Sequence, residues 1–314
     1  MANNARTHTN NPRATTFTAV PADSAQNSGV IPGRSSKAKS KPKVSRPRPT
    51  HFLSLPIGHH PELKERIREF HQKLLPSDAA DSVAIDGLDR TILVDPRRLH
   101  FTLGVMALSA DDGTDGPDPD TSQPRPKTLS EAIALLCALA PEIHAIAREP
   151  VRVVLDHMGV LKVKRQQAGV LFVGPGNSAS ADTIRINEIF DLVGQRFRQE
   201  GFIEDTRPPL LHCTLINASH RKPRSPKGFS YREIFDRALT HAKTPLPVLE
   251  SGVSNPGAKA VPVGEIAQAI SLDDKSISVD FGGWTVSEIQ LCQMGSHGPE
   301  NEYISVASVA LGSN

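Results

Sequence analysis

Leu99-His100-Phe101-Thr102-Leu103 and Leu211-His212-Cys213-Thr214-Leu215 are one five-residue phrase written twice in the same chain. Each sits in an apolar run, RLHFTLGVMAL at 98–108 and LLHCTLIN at 210–217, of the length and composition of a buried β-strand. On a strand, residues i and i+2 face the same side. His100 therefore shares a face with Thr102, and His212 with Thr214, while Phe101 and Cys213 point the other way, into packing.

Working outward, the flanking sequence repeats as well. HFLSLPI at 51–57 reads as a buried strand. PELKERIREFHQKLL at 61–75 reads as a helix with Pro61 at its first position and Leu63, Ile67, Phe70 and Leu74 on one face. Strand, helix and the first His-x-Thr strand make one unit. AGVLFVG at 168–174, a helix over 182–200 and the second His-x-Thr strand make another. That helix is capped by Asp182 or Thr183, carries Ile186, Ile189, Val193 and Phe197 as its apolar stripe, and ends at Gly201. Between the units, 128–147 is helical with a break at Pro141, and 151–155 with 158–164 reads as a strand pair. A helix over 230–242 and strands over 276–282, 284–294 and 302–311 follow. The pattern argues for an α/β or α+β domain of two similar lobes facing one another.

Residues 111–127 are rich in Asp, Pro and Gly, and 243–275 in Pro, Gly and Ala; both read as flexible insertions. Residues 1–49 have almost no apolar clusters and read as a disordered basic tail, leaving 50–314 as the domain. Within residues 1–50, nine Lys or Arg stand against one acid, Asp23, a net of +8; the whole chain carries +2, so the body carries −6. A body of that sign does not bind long duplex nucleic acid through bulk charge, and any nucleic acid must be handled in a local pocket. The run from Lys37 to Arg48 reads equally as a nuclear import signal, a weak RNA tether or a solvated tail. No stretch of 18 apolar residues exists, so no membrane span is expected. The three cysteines, Cys137, Cys213 and Cys292, are odd in number and widely spaced, which fits a reducing compartment and no zinc spacing. The nucleus or cytoplasm is the expected location, and a monomeric catalytic domain the expected state.

Two imidazoles and two hydroxyls turned into one cleft are a kit for attacking a phosphodiester. A neutral His takes a proton from the attacking oxygen, and a protonated His gives one to the leaving oxygen. The Thr hydroxyls donate hydrogen bonds to the non-bridging oxygens as charge builds there. His100 and His212 are the catalytic candidates, and Thr102 and Thr214 the phosphate-binding ones. A single His-x-Thr on a strand would read as a half-buried structural histidine; two copies on equivalent strands favour catalysis.

With these motifs the sequence resembles the 2H phosphoesterase superfamily, also called LigT-like or 2′-5′ RNA ligase-like. FLSLPI, LHFTLGVM, AGVLFVG with its long helix, and LLHCTLIN are most similar to one branch, the RNA ligase-like domain of protein kinase A anchoring protein 7 and of activating signal cointegrator complex subunit 1. The resemblance covers roughly residues 50–311. It implies a bilobal, pseudo-twofold duplicated α+β fold, with a central cleft between two antiparallel sheets flanked by helices. It further implies nucleotide binding and metal-independent cleavage of 2′,5′-linked or 2′,3′-cyclic phosphodiesters, or processing of RNA 3′ ends, with no cofactor. A nucleotide- or RNA-binding scaffold, or a coactivator subunit with little turnover, is the alternative.

Other residues have two readings each. Arg221 and Lys222, with Arg224 and Lys227, either hold substrate phosphate at the cleft rim or belong to an ordinary solvated loop. Arg98 stands beside the first motif with the same two readings. His59 and His60 sit at a strand end, near the cleft or simply on the surface. Phe281, Trp284 and Tyr303 supply either a base-stacking face or core packing. Cys213 is discounted as a nucleophile because its strand position turns it away from His212. Lys162 to Arg165 reads as an exposed hairpin.

Overall fold

The structure is a computed structural model that describes residues 47–76, 83–109, 125–176, 180–207, 210–242 and 275–312. The basic run and the two insertions fall almost wholly outside these residues. Strands β1 (His51–Pro56), β2 (His100–Met106), β3 (Val151–Val154), β4 (His157–Leu161), β5 (Gln167–Ala168), β6 (Val170–Gly174), β7 (Cys213–Asn217), β8 (Phe229–Ser230), β9 (Ser276–Ser278), β10 (Gly283–Val286), β11 (Glu288–Gln293) and β12 (Ser305–Ala310) alternate with five α-helices. The helices are α1 (Pro61–Leu74), α2 (Leu129–Ala138), α3 (Ala140–Ile146), α4 (Ala181–Gln199) and α5 (Tyr231–Ala242).

Eight strands form one sheet in the order β12-β11-β1-β2-β7-β6-β4-β9. Its centre is the antiparallel contact of β2 with β7, a single Cα pair, Phe101 with Cys213. The two lobes expected from the repeat are the two four-stranded halves of this sheet, joined edge to edge at that pair. The halves match in detail. In one, β1 pairs with β2 and the register slips between Leu53 and Ser54, leaving Leu103 without a partner. In the other, β6 pairs with β7 and slips between Leu171 and Phe172, leaving Leu215 without a partner. Each motif strand thus carries a bulge immediately after its Thr. Bulges bend a strand and re-aim its side chains, and they are common beside active sites.

The bulges flip the alternation. Phe101, Leu103, Cys213 and Leu215 are buried, as the pattern requires, but beyond the bulge Met106 and Ile216 are buried too, and Val105 is exposed. The buried side joins one core with the helix stripes: Leu63, Ile67, Phe70 and Leu74 of α1, and Ile186, Ile189, Val193 and Phe197 of α4. Each such side chain contributes roughly 1.5–3 kcal/mol through burial, so the helices hold one face of the sheet and leave the other open.

Three readings of the local sequence need correction. β3 does not pair with β4; it forms a separate ribbon with β10, while β4 pairs with β6 and β9. The chain turns between them because Leu155 and Asp156 bond to the segment around 279–282 rather than forming a hairpin turn. The stretch 284–294 is two strands in two sheets, separated at Ser287, whose carbonyl accepts from Leu311 N–H. Finally, α4 is capped by Ser180, which accepts from Thr183 N–H, while Asp182 pairs with Arg185 at 2.6 Å. The break before Pro141 is present, with Pro141 in the first turn of α3, where its missing N–H costs nothing. Gly201 follows α4 at φ 77°, a left-handed conformation that glycine adopts freely.

Candidate active site

His100, the first residue of β2, and His212, one residue before β7, lie on the open side of the central strands, each half-buried beside its half-buried Thr. Their rings are anchored alike. His100 Nδ1 lies 2.7 Å from the carbonyl of Arg98, and His212 Nδ1 lies 2.8 Å from the carbonyl of Leu210. A carbonyl oxygen only accepts, so each Nδ1 carries its proton. That leaves both Nε2 atoms as the working nitrogens, lone pair or N–H according to charge. His100 Nε2 is 3.0 Å from the Thr102 hydroxyl.

Each imidazole rests against a phenyl ring: Phe52 at 5.0 Å from His100 and Phe172 at 5.6 Å from His212. These do not occupy equivalent positions. Phe172 faces Thr214 across its strand pair, where the other lobe has Ser54 facing Thr102. Tyr303 adds an edge-on contact to His100 at 5.3 Å. Arg98 stacks on Tyr303 with its guanidinium 3.6 Å from the ring centre, held by the carbonyls of Ser296 and Asn301, both at 2.9 Å.

Burial pushes the His100 pKa down to about 4, opposed by the Arg98 carbonyl and aided by the charges of His212 and Arg98. His100 is therefore neutral near pH 7 and has a lone pair to offer. Cys213 is fully buried beside the His100 backbone, and burial pushes its thiol up to about 12, so it stays protonated. A hollow of about 250 Å³ opens at His100, lined also by Ser54, His59, Arg98, Tyr303, Glu288 and Glu302.

The structure brings His100, Thr102, His212 and Thr214 together along the central strands. It does not offer Arg221 to them. Arg221 pairs with Asp89 and donates to the carbonyls of Gly87 at 2.6 Å and Lys227 at 3.2 Å, so its guanidinium ties the 221–228 loop to the 86–89 turn. Lys222 is exposed, and its main-chain N–H donates to Thr91. The sequence does not separate a loop-tying arginine from a phosphate-binding one, because the partner, Asp89, lies far away along the chain. His60 is a packing residue, with Nε2 2.8 Å from the Thr285 carbonyl and its ring against Trp284. Phe281 and Trp284 are core; of the three aromatics weighed for stacking, Tyr303 is the one at the site. Sequence reasoning passed over Phe52 and Phe172. Their signal is an aromatic in each strand that flanks a motif strand. Among the described residues, no three His, Cys, Asp or Glu side chains are grouped as ligands for a metal ion.

The model of the AKAP7 2′5′ RNA ligase-like domain matches residues 49–311. The chain belongs to that family. Membership places this RNA ligase-like domain in the 2H phosphoesterase superfamily, in keeping with its duplicated α+β fold. It is similar to mouse activating signal cointegrator 1 complex subunit 1, at 23% identity over 211 residues. That match takes in 60% of this chain and 51% of the relative, so the chain spans about half the length of the curated relative it matches. Among solved structures, it is similar to E. coli LigT complexed with 3′-AMP (14% identity, TM-score 0.44, covering 84% of this chain and 99% of LigT). It is also similar to E. coli LigT in apo form (14% identity, TM-score 0.42, covering 84% and 99%).

Proposed function

We propose that this RNA ligase-like domain is a phosphodiesterase that cleaves RNA-type linkages, 2′,5′-linked or 2′,3′-cyclic, by paired-histidine acid/base catalysis without a metal. The observation that carries this reading is the matched anchoring of His100 and His212, each with Nδ1–H on the carbonyl two residues back and Nε2 left to work. On a 2′,3′-cyclic phosphate, His100 Nε2 takes the proton of an attacking water as its oxygen bonds to phosphorus. The bond to the 2′ or 3′ oxygen breaks, and protonated His212 delivers its Nε2 proton to that oxygen. The lowered pKa of His100 supports it as the base. Thr102 and Thr214 donate to the non-bridging oxygens as negative charge gathers there.

The test is turnover on a panel of 2′,5′-oligoadenylate, 2′,3′-cyclic nucleotide and oligouridylate, with binding measured in parallel. His100→Ala and His212→Ala are each expected to lower kcat about a hundredfold or more, the scale of a lost general acid or base. Near-normal activity in either folded variant refutes the mechanism. Nucleotide binding with no turnover in the unaltered chain makes the domain a binding scaffold instead.

A further inference from the structure

Beyond the histidine pair, β7 leads into a second and larger hollow, of about 1120 Å³. Its walls are the turn after β4 and the loop after β7, and they carry Lys162, Lys164, Arg165, Arg224 and Lys227 with no carboxylate among the lining residues. Lys227 is paired with Asp86 at 2.5 Å; among the described residues, Lys162, Lys164, Arg165 and Arg224 have no carboxylate partner. A chain whose body is net negative thus gathers a concave cluster of unpaired cations in one place. The turn holds them at a conformational cost: Lys162 at φ 56° and Arg165 at φ 58° occupy the left-handed region where glycine or asparagine sits more easily.

The hollow is connected to the catalytic pair. The bulge at Leu215 buries Ile216 and turns Asn217 to the face that carries His212 and Thr214. Asn217, which lines the hollow, lies about 10 Å beyond Thr214 at the rise of a strand. Its amide is 3.4 Å from the ring of His220.

We propose that this basic hollow binds the phosphodiester backbone of single-stranded RNA whose cleaved linkage lies between His100 and His212. The inference rests on the phosphodiesterase reading and extends it: the substrate is an RNA chain, not only a mononucleotide. Single strands are bound by positive grooves that follow the backbone, over roughly 4–16 nucleotides in known modules. A concave site at the far end of β7 suits such a strand better than it suits the regular double row of phosphates on a duplex.

The test uses the full chain with Lys164→Gln, Arg165→Gln and Arg224→Gln combined, checked for an unchanged Tm. Binding of a fluorescent oligouridylate of roughly ten nucleotides is followed by anisotropy in a His212→Ala background, across a salt series. The triple variant is expected to weaken binding at least tenfold and to make the slope of log K against log salt shallower by about 2, near 0.7 for each phosphate no longer neutralised. In the active chain, kcat/KM for the same oligouridylate ending in a 2′,3′-cyclic phosphate is expected to fall at least tenfold more than kcat/KM for a 2′,3′-cyclic mononucleotide. Unchanged oligonucleotide affinity and salt slope overturn the proposal, as does an equal fall on both substrates. Competition by an oligoglutamate of equal charge as effective as that by unlabelled RNA reassigns the hollow to acidic protein and also overturns it. If the unaltered chain turns over no substrate yet the triple variant loses RNA binding, the hollow stands and the catalytic reading falls.

Discussion

Acidification separates a histidine poised as a base from one that merely titrates. The His100 pKa is held down at about 4, chiefly by burial. Against an ordinary imidazole near 6.5, protonating His100 in the folded chain costs about 3 kcal/mol more than in the unfolded one. In kinetics, the neutral base is available down to about pH 4, so the acid limb of kcat/KM on a 2′,3′-cyclic nucleotide should have its midpoint near 4 rather than 6.5. Arg98→Gln removes a positive charge that bears on His100 and should move the acid limb upward, by less than burial moves it downward. The folded state binds fewer protons than the unfolded chain between pH 4 and 6.5. His100 therefore contributes stability that is complete above about 6.5 and is lost as pH falls through about 4. His71, buried on α1 and also held at about 4 by burial, has the same sign, so unfolding on acidification accompanies the rate loss. Initial rates after a rapid pH jump, with His100 followed by its ring-proton NMR signal, keep the two apart. A His100 signal titrating at 6.5 or above in the folded chain refutes the burial argument and the assignment of His100 as base.

Activity is expected to survive EDTA unchanged, because the proposed proton transfers use both Nε2 atoms and Thr is a poor ligand for zinc or magnesium; silencing by EDTA with rescue by Mn²⁺ or Zn²⁺ would refute this. Arg221→Leu is expected to cost about 1–3 kcal/mol of stability by stranding Asp89 and two carbonyls, read as a lowered Tm with KM for a cyclic nucleotide held; a raised KM at unchanged Tm would put Arg221 on the substrate. Gly174→Ala is expected to lower kcat tenfold to a hundredfold, since a Cβ there would lie 2.7 Å from the Leu211 carbonyl and 3.8 Å from His212 Cα, and displacements of about 1 Å at a catalytic group cost on this order. Full kcat in that variant would show that the His212 backbone tolerates the shift.

The shared placement of His100 with Thr102 and of His212 with Thr214 was legible because its signal is local. His-x-Thr fixes which residues share a face, and the apolar stripes at 63, 67, 70 and 74 and at 186, 189, 193 and 197 fix what the helices cover. Strand partnership is not local. Val151–Val154 has the alternation of a half-buried strand whether it pairs with β4, the next strand, or with β10, far along the chain. Arg221 fails for the same reason: a loop arginine reads alike whether it faces a phosphate or Asp89.

The two bulges sit between these cases, and they decide how much of β7 serves the cleft. Strict alternation from His212 would place Ile216 on the open side and Asn217 in the core, an exposed apolar residue and a buried amide without need. The adjacent apolar pair Leu215-Ile216 conflicts with alternation, and a bulge at Leu215 resolves the conflict by burying both. The same slip at Leu103 buries Met106 and exposes Val105. In each strand the His and Thr precede the slip, so their shared face follows from simple alternation. Everything beyond the slip has its facing reversed, and in β7 that reversal is what brings Asn217 and the basic hollow into line with His212. A one-residue deletion at Leu215 would remove the bulge, let Ile216 take the buried position that Leu215 now fills, and leave Asn217 on the open side by simple alternation, so the face shared by His212, Thr214 and Asn217 should survive it.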